Sequence, residues 1–251
     1  MLGRIKEIKN TGGLKYLARY ILSSIFSWIH FKLNKNRKFI FNNNEYNYYY
    51  TSKEGYWQYR TERVIEIPIF YGMIKSFSGK KILEVGNTLA HYYPISHTVV
   101  DKYEPGDGVI NKDIVGFNDG KKYDLIINIS TLEHVGFSPQ EPDQPEKIHD
   151  ALRSMQKLLK PNGLIISSFP VGFNPEVDKR ILDALTPKAS GRANMNNFRF
   201  MKRASMGNKW EEFTPTEDDI KKAKYGFPYP CANIVAIEEG PFSLKTPKKK
   251  K

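Results

Sequence analysis

The residues best suited to chemistry fall in four short clusters. Glu84-Val85-Gly86-Asn87-Thr88 closes an apolar run on an acid and a glycine. Asp101-Lys102 closes the next apolar run, Thr98-Val99-Val100, 17 residues after Glu84. A carboxylate in that position can accept both hydroxyls of a ribose. Asp113-Ile114 follows in a loop, where an acid could receive an adenine amino group and an aliphatic chain could cover the ring; an ordinary loop aspartate is the alternative. Ser130-Thr131-Leu132-Glu133-His134 then sets two hydroxyls, a carboxylate and an imidazole directly behind a third apolar run. His134 is the first candidate for a general base, followed by Glu133 and His91, because both group types remove protons near neutral pH. A histidine there could equally cap the next helix or line a ring pocket. The five histidines show no close pairing at ligand spacing, so no metal site is expected.

These clusters must be positioned by the elements around them. Lys81 to Gly86, Thr98 to Asp101, Tyr123 to Ser130 and Gly163 to Phe169 read as buried strands, each a short apolar run. Ile148, Leu152, Met155, Leu158 and Leu159 carry a helical period that Pro161 and Gly163 stop. Strands alternating with helices predict an α/β fold, doubly wound on a mostly parallel sheet. Ligands of such sheets bind at the carboxyl ends of the strands, where all four clusters lie. Upstream, Val64 to Phe77 reads as a helix with Pro68 in its first turn or at a kink, and 34–56 as an irregular connection. Downstream, 173–230 reads as the acceptor side, with Asn174, Arg180, Arg199, Arg203 and Trp210 as polar or aromatic contacts. Cys231 to Ile237 reads as a late strand at the sheet's edge. The expected division is 1–57 basic helix and connector, 58–240 α/β domain with its cofactor half at 80–172, and 241–251 basic tail.

Motif tests narrow the ligand. A dinucleotide loop needs G-x-G-x-x-G, and the second and third places after Gly86 hold Thr88 and His91. G-x-x-x-x-G-K-[ST] and G-x-S-x-G are both absent, which excludes that ATPase loop and the hydrolase elbow. Taken in order across 80–172, the residues resemble the class I S-adenosylmethionine-dependent methyltransferases. Glu84-Val85-Gly86 is similar to the start of that family's E-x-G-x-G-x-G motif, Asp101 to its ribose-binding acid, and Asp113-Ile114 to its adenine-contacting pair. Tyr123 to Ile126 with Ser130 to Val135 resembles its fourth-strand segment, and Leu159-Lys160-Pro161-Asn162-Gly163 its Leu-Lys-Pro-Gly-Gly turn. The resemblance implies a Rossmann-like fold, S-adenosylmethionine as cofactor, and a binding set of Glu84, Gly86, Asn87, Thr88, Asp101, Lys102, Asp113, Ile114, Ser130 and Thr131. Thr88 and Ala90 replace the motif's later glycines, so either the loop takes another path or cofactor binding is weak or lost. Arg60-Thr61-Glu62, Glu66-Ile67-Pro68, Ser130 to His134, Phe169 to Pro175 and Asn208 to Glu212 resemble a narrower group, methyltransferase-like proteins of cell-surface sugar assembly. That group implies O-methylation of a sugar or lipid-linked glycan. The competing expectations are an RNA methyltransferase and a non-catalytic binding subunit that keeps the fold.

Composition sets the outer limits. With 40% hydrophobic and 13% aromatic residues in 251, the chain can build a packed core and is not disordered throughout. Its single cysteine, Cys231, makes no internal disulfide; a buried structural thiol in a reducing cytoplasm is expected. The net charge of +12 sits at the ends: residues 1–40 carry +8 and 245–251 carry +5, which leaves −1 for the body. A neutral body argues against nucleic acid as the partner. Leu14, Leu17, Ala18, Ile21, Ile25, Trp28 and Ile29 recur at helical spacing, flanked by Lys15, Arg19 and Lys32. The 12 uncharged residues between Arg19 and Lys32 fall short of the roughly 20 a membrane span needs. Residues 14–38 therefore either dock on the domain or lie on an anionic membrane surface, which would make the protein peripheral at the inner face.

Overall fold

The computed structural model describes residues 36–49, 61–139, 143–186, 197–204, 209–226 and 231–240, together with Ala18, Leu22, Ile25, Ile29 and Leu33. The chain first makes a hairpin, β1 (Lys38–Phe41) and β2 (Asn44–Asn47). Its two-residue turn places Asn42 at φ 50° and Asn43 at φ 60°, a left-handed pair that asparagine tolerates better than other residues with side chains. The asparagine-rich stretch expected to be irregular thus supplies a turn. Phe39, Phe41 and Tyr48 are buried, and the Trp210 N–H donates to the Tyr48 hydroxyl at 2.7 Å.

Helix α1 (Arg63–Ser76) contains Pro68 in its interior. Proline has no N–H, so the helix cannot satisfy the Val64 carbonyl four residues back. The Tyr49 N–H donates to that carbonyl at 2.9 Å, which docks the end of the hairpin segment on the proline turn.

The remaining elements are β3 (Ile82–Val85), β4 (Thr98–Val100), β5 (Val109–Ile110), β6 (Tyr123–Ile129), α2 (Ile148–Leu158), β7 (Leu159–Pro170), α3 (Pro175–Leu185), β8 (Phe198–Ala204), β9 (Lys209–Phe213), α4 (Glu217–Lys221) and β10 (Ile234–Gly240). They form one sheet in the order β5-β4-β3-β6-β7-β10-β8-β9. The five strands from β5 to β7 pair in parallel, and β10, β8 and β9 add antiparallel. This is the expected Rossmann-like, doubly wound, mostly parallel fold. One face packs α2 and α3 over Val85, Ile126, Ile165 and Ala236; the other packs α1 and the hairpin over Leu125, Ile127, Ile166 and Val235. The strand order reverses between β3 and β6, and a crevice opens at such a reversal beyond the carboxyl ends of the strands.

Two boundaries differ from expectation. β10 lies between β7 and β8, not at the edge. Its residues are buried on both faces, as a central strand requires, although it comes last in the chain. β7 begins at Leu159, so Lys160 to Gly163 belong to the strand. Near the N-terminus Ala18, Leu22, Ile25, Ile29 and Leu33 are helical and all exposed, Leu22 at 57% and Leu33 at 78%. The other residues of the expected amphipathic helix, and the tail from 241, lie outside the described residues. Among the described residues no helix is long and apolar enough to cross a membrane.

Candidate functional site

The loop after β3 is built around Glu84. Buried at the strand's end, its Oε1 accepts from Thr88 N at 3.0 Å and Leu89 N at 2.8 Å, and its Oε2 lies 2.7 Å from His97 Nε2. Glu84 therefore shapes the loop from beneath. Gly86 alone takes a left-handed conformation, φ 91°, and a Cβ there would lie 2.2 Å from Thr131 Oγ1. That close approach brings the ends of β3 and β6 together at the strand-order reversal. Thr88 sits at φ −89°, and Ala90 lies in a 3-10 turn over Leu89–His91. Neither residue is left-handed, so these backbone angles do not require glycine, and the Thr88 hydroxyl turns to the Ile129 carbonyl at 3.4 Å.

Asp101 meets this loop from the end of β4. Its Oδ2 accepts from Asn87 N at 3.0 Å, and its Oδ1 accepts from Tyr103 N at 2.8 Å and Glu104 N at 2.7 Å. Asn87 in turn donates to Glu104 Oε1 at 3.2 Å, while its own Oδ1 is buried with no partner. An unpartnered acceptor beside two carboxylates suits a ligand that brings hydroxyl donors, such as a ribose. S-adenosylmethionine fits this donor set: Asp101, Asn87 and Glu104 would hold its ribose beside the Gly86 backbone. His91 Nε2 lies 2.6 Å from Glu104 Oε1. Asp113 Oδ2 lies 3.1 Å from Lys102 Nζ and 3.0 Å from Lys147 Nζ. Partial burial raises the Asp113 carboxyl, but the Val115 amide and the two ammonium groups outweigh it and hold it below the usual aspartate value. Ile114 is buried in the core.

The segment after β6 is the more unusual half. Ser130 sits at φ 41°, left-handed for a non-glycine residue, a strain of the kind that gathers at functional sites. Its hydroxyl donates to Glu66 Oε1 at 2.5 Å, and its N–H donates to Ser168 Oγ at 3.2 Å. Thr131 packs on Gly86 and donates to the Ile129 carbonyl at 3.2 Å. Arg63 Nη1 donates to Glu66 Oε2 at 2.7 Å and Ile129 O at 3.3 Å, tying the first turn of α1 to the end of β6. Glu62, Glu66 and Glu133 are all buried around this one arginine. Burial, then the charge of Glu66, pushes the Glu62 carboxyl up to about 7. Burial likewise raises Glu133 well above the usual range, with Glu66 and Glu62 adding to it and Arg63 opposing. Glu133 Oε2 has no hydrogen-bond partner. His134 is exposed and meets the Phe173 ring edge-on at 4.6 Å. Desolvation of its packed side, then the charge of Arg63, keeps its imidazole below the usual histidine value, hence neutral at pH 7.

The acceptor-side candidates do not gather into one site. Asn174 is fully buried, caps α3 by accepting from Glu176 N at 2.9 Å, and donates to the Glu133 carbonyl at 2.7 Å. Arg180 pairs with buried Glu238, Arg199 pairs with Glu212, and Trp210 is buried. Arg203 Nη2 donates to the buried thiol of Cys231 at 3.2 Å. Sequence reasoning missed His97, Glu104 and the acids of α1. The spacing of Glu62 and Glu66, four apart at a helix start beside Arg63, was the available signal.

No family model matches the chain, and no curated protein matches it. Among solved structures it is similar to a SAM-dependent methyltransferase from Archaeoglobus fulgidus, at 15% identity over 73% of this chain and 97% of that one, with a TM-score of 0.41. It is also similar to the N-methyltransferase NodS from Bradyrhizobium japonicum, at 15% identity over 72% and 97%, with a TM-score of 0.38. A sugar N-methyltransferase from Streptoalloteichus sp matches at 16% identity and a TM-score of 0.30, over 41% of this chain and 46% of that one. The chain therefore spans less than half of that protein's length. The chemistry of the site rests on this chain's own residues.

Proposed function

We propose that the chain is an S-adenosylmethionine-dependent methyltransferase. The observation that carries this reading is the loop at the β3/β6 reversal, where Asp101 fixes the Asn87 amide beside the unpartnered Asn87 Oδ1. When bound, the cofactor supplies an electrophilic sulfonium methyl group. The protein's part is to hold an acceptor in line and to take its proton. His134, neutral and exposed at the end of β6, is placed to take that proton, and Glu133 beside it is the second candidate. The acceptor class is a sugar or lipid-linked glycan, on the likeness of Arg60 to Glu62 and Phe169 to Pro175 to methyltransferase-like proteins of sugar assembly.

Calorimetric titration with S-adenosylmethionine tests the reading. Wild-type chain is expected to bind and Asp101→Ala to lose binding; no heat at millimolar cofactor overturns it. For location, we propose that the exposed stripe Leu22, Ile25, Ile29 and Leu33 rests on an anionic bilayer, since residues 1–40 carry +8. Flotation with phosphatidylserine vesicles is expected for the full chain and is lost when 1–40 are removed. Equal flotation of the two forms overturns this placement.

A further inference from the structure

The mechanism above uses one or two groups of the cluster at the end of β6, yet three buried carboxylates meet there. Arg63 satisfies Glu66, with 2.7 Å between them, and Ser130 covers its other oxygen. Glu62 receives the Ala232 amide at 3.1 Å and its own backbone amide. Glu133 is 1% exposed and its Oε2 receives nothing. Three acids therefore face one guanidinium, and one buried carboxyl oxygen lacks the donor that folded proteins nearly always supply.

The ring cluster next to these acids is only partly buried. Phe173 meets His134 edge-on at 4.6 Å, Phe137 at 5.8 Å and Tyr225 at 4.8 Å. The π face of an aromatic ring attracts cations. Tyr225 links the two layers: burial first, then the charges of Glu62 and Glu133, raise its hydroxyl to about 12. The charged and titratable groups that act on it are Glu62 just before α1, Arg63 at its first position, Glu133 after β6 and Cys231 before β10.

We infer that Glu62 and Glu133, beneath Phe173 and Tyr225, form a binding site for a protonated amine, and that the methyl acceptor carries one. An ammonium group brings the N–H donors that Glu133 Oε2 lacks, and its positive charge favours the ionised form of the raised Glu62 and Glu133 carboxyls. Naming the amine's owner as the acceptor rests on the methyltransferase reading; the amine site itself does not. Because the Glu62 carboxyl titrates near neutrality, it can hold the ammonium as carboxylate and take one proton back, leaving a neutral amine and a carboxylic acid.

The test uses full-length chain labelled with carbon-13 at the glutamate carboxyl, titrated in tens of millimolar ethylammonium chloride or in sodium chloride at equal ionic strength. Ethylammonium is expected to lower the Glu62 midpoint by about one pH unit, a tenfold change in proton affinity, while sodium leaves it in place. Glu133→Gln is expected to abolish the difference between the salts, and Phe173→Ala, on the partly exposed rim, to reduce it several-fold. Identical midpoints in the two salts, or an undiminished response in Phe173→Ala, overturn the site. Amine binding without S-adenosylmethionine binding keeps the site and removes the function; the converse keeps the function and removes the site.

Discussion

Glu62→Gln isolates the cost of the acid cluster. The amide keeps the shape of the side chain and an oxygen for the Ala232 N–H, now 3.1 Å from Glu62 Oε2, but it cannot ionise. In the wild type the carboxyl moves from its ordinary 4.5 to about 7 on folding. A folded pKa above the unfolded one means that the unfolded chain loses its proton first as pH rises. The stabilisation is therefore complete below pH 4.5, declines between 4.5 and about 7, and is gone above that. The span of about 2.5 pH units corresponds to on the order of 3 kcal/mol. Glu133 is raised as well, so the wild type is expected to lose stability with two such carboxyls and the variant with one. Urea unfolding followed by tryptophan fluorescence, at constant ionic strength from pH 5 to pH 8, measures this. The variant is expected to lead by no more than about 1 kcal/mol at pH 5 and by roughly 3 kcal/mol at pH 8. Parallel pH profiles would refute the reasoning, because Glu62 would then titrate alike in the folded and unfolded chains.

Gly86→Ala combines a left-handed residue at φ 91° with a methyl group 2.2 Å from Thr131 Oγ1. The backbone alone costs about 1–2 kcal/mol, so urea midpoints are expected to fall by more than that, with partial recovery in Gly86→Ala/Thr131→Gly. Arg180→Met leaves Glu238 buried without its partner and is expected to cost about 3–5 kcal/mol at neutral pH. Burial already raises Glu238 despite Arg180, so the deficit should shrink as the carboxyl protonates at low pH. Adding Glu238→Gln should restore most of the loss at pH 7, as read by thermal unfolding.

Four of the five parallel strands were legible because each is an apolar run closing on a polar or glycine residue, a pattern short enough to be seen in a ten-residue window, whereas β5, two residues long, carries no such run. β10 was seen too, but its neighbours were not, since a strand's place in a sheet depends on contacts far away in the chain. α3 was overlooked although Asn174-Pro175 is a helix-start signal, a capping asparagine before a proline. Candidate residues were found where they lie at strand ends, and their partners were missed where another element supplies them. His97 under Glu84, Glu104 beside Asn87, and Glu62 with Arg63 beside Glu133 are all of this kind. A cluster assembled from the start of α1 and the end of β6 joins residues more than sixty apart, and no local spacing announces it.

Thr88 and Ala90 offer a last check on how the loop works. The motif's glycines would matter if the backbone needed left-handed angles there, yet Thr88 is at φ −89° and Ala90 lies inside a 3-10 turn. The turn is held by Glu84, which receives the amides of Thr88 and Leu89, and by the Thr88 hydroxyl on Ile129 O. Restoring the motif in Thr88→Gly/Ala90→Gly should then loosen the unfolded chain more than it relaxes the folded one. Each glycine costs about 0.5–1 kcal/mol in backbone entropy, and the hydroxyl bond is lost in addition. A fall of roughly 1.5–3.5 kcal/mol in urea unfolding is expected, with no gain in S-adenosylmethionine affinity by calorimetry. A double variant that binds the cofactor more tightly than wild type would mean that Thr88 obstructs the crevice. In that case the loop's anchoring by Glu84 would be an obstacle to ligand binding instead of its support.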